Sequence, residues 1–108
     1  MAEMSAGTAL RQLKQAQAGL KKARQFMAQA RQDPRLVPRV LDIGWESLVQ
    51  AHRLMAEIPL AAADEAVLTQ QLAVQRYATA LLVRLRRLIR RGELGPDDPD
   101  DFGGDDEA

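Results

Sequence analysis

Residues 62–91 read AADEAVLTQQLAVQRYATALLVRLRRLIRR, and the fold class follows from this stretch. Val67, Val74, Ala78, Leu81, Leu85 and Leu88 recur at spacings of seven, four and three residues, so they form one apolar stripe of an α-helix. Asp64 and Glu65 suit the positive end of that helix. Gly92 suits the left-handed position after its last turn, with Leu94 able to fold back onto the helix end. A strand reading fails because no run alternates and β-branched residues are few.

The upstream chain repeats the pattern twice. Leu13, Leu20 and Met27 recur every seven residues beside Ala9, Ala16, Ala23 and Ala30, which predicts a helix over about 5–32. Either Ser5 or Thr8 can cap its start, and Asp33 before Pro34 breaks it. A short turn is expected over 33–38, followed by a second helix over about 38–57. Its expected core arc is Val37, Leu41, Trp45, Leu48, His52 and Met55, with Gly44 and Ala51 beside it. Gly44 costs about 1 kcal/mol relative to Ala inside a helix, which points to a close neighbour, and the alanine stripe of the first helix is the expected one.

The fold class expected is therefore all-α: a small antiparallel three-helix bundle, with helices near 5–32, 38–57 and 62–91. At 108 residues the chain suits one domain with a thin core, and dimerisation would complete it. Residues 1–92 form the bundle. Residues 93–108 combine Gly, Pro and like charges and are expected to be a disordered acidic tail.

The formal charge of zero conceals a strong asymmetry. Residues 1–92 hold all fifteen Lys and Arg against seven acids, a net of +8, while residues 93–108 hold the other eight acids and no cation. No acid interrupts residues 66–92, where Arg76, Arg84, Arg86, Arg87, Arg90 and Arg91 fall opposite Leu81, Leu85 and Leu88 as a cationic strip. Guanidinium groups suit bidentate contact with phosphate or carboxylate, so the strip is a candidate anion- or partner-binding site. A solvated face that complements the helix dipole would show the same residues. The first helix adds Arg11, Lys14, Lys21, Lys22, Arg24 and Arg31, again without an acid. Tyr77 is the one aromatic near the strip, so nucleic-acid binding there would be led by phosphate and sensitive to salt.

Leftover apolar residues carry the second expectation. Leu68, Leu72 and Val83 of the last helix, with Ile43 and Leu54 of the second, fall off the expected core arcs and are candidates for an oligomer interface. In the tail, Asp100 and Asp101 precede Phe102. That motif resembles the tail tips of bacterial single-stranded DNA-binding proteins, which dock on partners, although Phe102 is not terminal here. The same tail could fold back on the basic body and compete with anionic ligands, or simply keep the chain soluble.

Chemistry is harder to find. His52 is the only histidine and there is no cysteine, so no metal-ligand set, cofactor site or catalytic relay is expected, and His52 is read as a core residue. Ser47 and Thr69 have no base at helical spacing. Helix-rich nucleotide-binding toxin domains of the HEPN type also open with a long Ala- and Lys-rich helix. Their Arg shortly before a His has no counterpart, since Glu46, Ser47 and Leu48 precede His52, and no family is claimed.

The expected function is a non-enzymatic helical interaction and regulatory module, self-associating and binding a partner protein through apolar stripes and a cationic face. The other reading is a non-specific nucleic-acid binder that uses the Arg strip under control of the tail. The cysteine-free composition suits a cytoplasmic location, and no signal peptide, membrane span or membrane partner is expected.

Overall fold

A computed structural model describes residues 5–59, 64–92 and 94. Three α-helices make up the described chain: α1 (Ala6–Gln32), α2 (Val37–Ala56) and α3 (Glu65–Arg91), with a 3-10 turn at Pro34–Leu36 between the first two. Among the described residues no strand occurs. Each helix packs against both others. The expected tail motif of Asp100, Asp101 and Phe102 lies outside the described residues.

The helix ends follow local chemistry. Ser5, rather than Thr8, caps α1, its Oγ accepting the Thr8 N–H at 3.1 Å. At the other end Asp33 closes α1 through its own N–H to the Gln29 carbonyl at 3.0 Å. Its carboxylate then opens the 3-10 turn, accepting from the Arg35 N–H at 3.2 Å and from Arg35 Nε at 2.9 Å. Those Arg35 bonds hold the Asp33 carboxyl below its ordinary range. Pro34 and Pro38 both sit in first turns, where a missing N–H costs nothing. Asp64 Oδ1 accepts the Val67 N–H at 2.9 Å to start α3. Gly92, at φ +70°, ends it with an N–H to the Leu88 carbonyl at 2.7 Å. Leu94 packs back against the core, as its position after Gly92 suggested.

Three contacts set the helix directions. Gln12 near the start of α1 bonds Glu57 just beyond α2, so these two run oppositely. Gly44 early in α2 meets Leu85 late in α3, so they also run oppositely. Gln17 accepts from Gln70 at 2.6 Å, placing the middle of α1 beside the second turn of α3. The C-terminal ends of α1 and α3 therefore lie at the same end as the start of α2.

The α1 stripe is buried throughout, from Ala9 to Ala30. In α2 the core face differs from the expected arc. Val40, Gly44, Ala51 and Leu54 are buried, whereas Trp45 is 61% exposed and His52 is exposed. Trp45 and His52 each follow a buried small residue, and one residue is a rotation of about 100°. The bundle turns its smallest side chains inward because they allow the helices to approach. That rotation also removes Leu54 and Ile43 from the proposed interface: Leu54 belongs to the core, and Ile43 is half-buried against it. The close neighbour that Gly44 calls for is Leu85 of α3, whose side chain lies nearest to it across the bundle.

Candidate interaction surfaces

The rotation of α2 that buries Gly44 and Ala51 turns Trp45 and Val49 toward solvent. On α3, Leu82 and Ile89 stand seven residues apart at the edge facing α2, and Ile89 is 68% exposed. Together these residues make a shallow apolar groove along the α2–α3 seam. It consists of two open depressions, of about 610 and 550 Å3, which share Trp45, Val49 and Leu82. Leu48, His52, Arg53, Ala78 and Thr79 complete the first, while Leu41, Asp42, Glu46, Leu85, Arg86 and Ile89 complete the second. Charge is thus segregated along the α2 rim: the acids Asp42 and Glu46 toward its N-terminal half and Arg53 toward its C-terminal half.

The Arg strip divides in two. Arg76, Arg86, Arg90 and Arg91 are exposed and Arg87 is half-buried, but Arg84 is only 2% exposed, packed in the interior. On the helical wheel Arg84 falls beside Leu81 and Leu88, on the α1 side of α3, so its aliphatic stem is covered when α1 docks. Arg84 therefore leaves the surface strip. Arg86, Arg87, Arg90 and Arg91, with Val83, surround a separate polar depression of about 310 Å3. Cations of α1 lie along the α1–α3 edge: Arg24 and Arg31 follow Gln17 at seven-residue steps, and both are half-buried. Arg11, Lys14 and Lys22 are exposed and Lys21 is half-buried.

Leu68, Leu72 and Val83 are exposed as expected, at 50%, 62% and 46%. Leu68 and Leu72 stand apart from the groove, and Val83 belongs to the Arg depression. Tyr77, 1% exposed, is a core residue rather than a stacking platform. Ser47 donates its hydroxyl to the Ile43 carbonyl at 2.8 Å, a bond internal to α2. Among the described residues no cluster of three metal-ligating side chains occurs, and no helix is long and apolar enough to cross a membrane.

The groove was the surface that pattern reading missed. Its signal was present as Trp45 and Val49 four apart on α2 and Leu82 and Ile89 seven apart on α3, but reading it required the phase of α2. Comparison with protein families, curated proteins and solved structures finds no match for this chain.

Proposed function

We propose that this chain is a non-enzymatic helical interaction and regulatory module that binds a protein partner through the α2–α3 groove, with the cationic face tuning which partner it meets. One observation carries the reading: Trp45, Val49, Leu82 and Ile89 form one contiguous exposed apolar surface rather than scattered exceptions. Exposed Trp with apolar neighbours is the composition of binding hot spots, where a large rigid ring is desolvated by a partner. Electrostatic contacts around it would govern association rate and choice more than affinity. The cysteine-free composition supports a cytoplasmic setting.

Photocrosslinking tests this directly. A photoreactive residue at Val49 is expected to give a discrete protein adduct in cells, one absent when the probe is at exposed Arg11 on α1. Trp45→Glu should abolish the adduct while leaving the helical circular dichroism intact, since substitution of an exposed residue typically shifts stability by no more than about 0.5 kcal/mol. No Val49-specific adduct, or one indifferent to Trp45→Glu, overturns the reading.

The Arg depression favours the second reading, a non-specific nucleic-acid binder. Four arginines line the depression without an acid in the surrounding stretch of α3, and the acidic run of the tail follows Leu94 in sequence. Binding of DNA would then weaken steeply with salt, log affinity against log salt falling by about 0.9 per phosphate contacted. Replacing Arg86, Arg87, Arg90 and Arg91 together by Gln should lower that slope by about 3 to 4. Removal of residues 95–108 should raise affinity at low salt if the tail competes. Absence of DNA and RNA binding at low salt eliminates this reading.

A further inference from the structure

We infer that the groove is occupied by a second copy of this chain, the two α2 helices lying antiparallel about a two-fold axis beside Val49. The inference rests on the groove reading above and names its partner. Its ground is the charge order along α2. The acids Asp42 and Glu46 rim the groove before Val49, and the cation Arg53 rims it after. A partner of unrelated sequence places no demand on that order. A two-fold axis does, because it brings residues before the axis in one copy opposite residues after it in the other.

With the axis beside Val49, Glu46 of each copy lies opposite His52 and Arg53 of its mate, and Trp45 falls near the Arg53 stem, where a ring and a guanidinium attract one another. Val49 meets Val49. On α3, Leu82 lies level with Val49, since both line both depressions, so it meets its own counterpart. Arg86, four residues beyond Leu82, then faces Ala78 and Thr79 of the other copy, which are uncharged. No like charges are directly opposed on facing helices. The result is a four-helix layer built from α2 and α3 of both copies, with the apolar groove enclosed between them. A pairing of α2 on the mate's α3 would bring Asp42 and Glu46 to Arg86 but leave Arg53 facing Gln75 and Thr79, so it satisfies one rim only.

Charge exchange on the full chain tests the arrangement. Glu46 and Arg53 are seven residues apart on one helix, about 10.5 Å along its axis, so they do not pair within a copy. The native chain is expected to be a dimer by light scattering. Glu46→Arg and Arg53→Glu should each weaken it about tenfold, because two exposed attractions per dimer become two repulsions. The double exchange Glu46→Arg with Arg53→Glu should restore it to within a few-fold. Because the chain has no cysteine, Val49→Cys supplies a single thiol, which a short bis-thiol-reactive linker should join between copies, whereas Arg11→Cys should not be joined.

A monomer at millimolar concentration overturns the inference; if the Val49 photoadduct then contains a different protein, the groove reading stands without it. A dimer unmoved by the single exchanges, or weakened by Arg86→Glu and not rescued by the double exchange, overturns the two-fold arrangement. A monomer that also gives no Val49 adduct overturns both.

Discussion

Leu81→Ala should lower the free energy of unfolding by about 2–5 kcal/mol, whereas Leu82→Ala, one residue along the same helix, should cost well under half as much. Leu81 is 0% exposed and Leu82 is 37% exposed. Removing the Leu81 side chain loses its transfer energy and leaves a hole between three helices that cannot all close on it. At Leu82 the removed atoms already border solvent, so little void is left. Since small domains have only about 5–15 kcal/mol in total, Leu81→Ala removes a large share and should move the urea midpoint at unchanged slope. Leu82→Ala should leave the midpoint nearly in place and act instead on association through the groove. Equal losses at the two positions would mean that α3 is rotated from the orientation described.

That contrast also marks what the residue pattern can decide. In α1 a single apolar stripe runs among Lys, Arg and Gln, so its phase has one solution, and every stripe residue is buried. The ends of α1 and α3 are equally local matters: Asp33 before Pro34, and Gly92 after a basic last turn, need no tertiary information. α2 is different because apolar residues cover more than half of its circumference. Val37, Leu41, Leu48 and Met55 argue for one phase and Val40, Gly44, Ala51 and Leu54 for another, and both sets end up at least half-buried. Weighting by side-chain size favours the arc through Trp45. The bundle takes the other, in which the missing side chain of Gly44 lets Leu85 of α3 come into direct contact with α2. Arg84 escaped for a related reason. Its charge suggests solvent, but its wheel position lies between the core and the cationic strip, and only the approach of α1 decides which side takes it.

The close approach itself can be broken at one position. Gly44→Val should destabilise the fold by about 1–3 kcal/mol even though it replaces the poorest helix former short of proline. A Cβ at residue 44 would lie 2.8 Å from both terminal methyls of Leu85 and 3.3 Å from its Cγ. Leu85 is buried among packed neighbours, so its side chain can clear the contact only by taking another rotamer that displaces them or by moving with α3. Either the core around Leu85 repacks or the two helices separate, and both cost stability. Leu85→Ala alone should cost about 2–5 kcal/mol by leaving a cavity, yet in the Gly44→Val background the same change opens room for the new side chain. The double variant should therefore be more stable than the sum of the single losses implies, by about 0.5–3 kcal/mol in urea denaturation. Additivity of the two losses would show that the residues do not meet. Leu85 also lines the groove beneath Trp45 and Ile89, so α2–α3 separation sets the groove's width as well as the core's density. Gly44→Val should accordingly weaken self-association at temperatures where the chain remains folded, and Leu85→Ala added to it should recover part of that association together with part of the stability. Recovery of stability without any recovery of association would place the contact with the second copy elsewhere on the molecule.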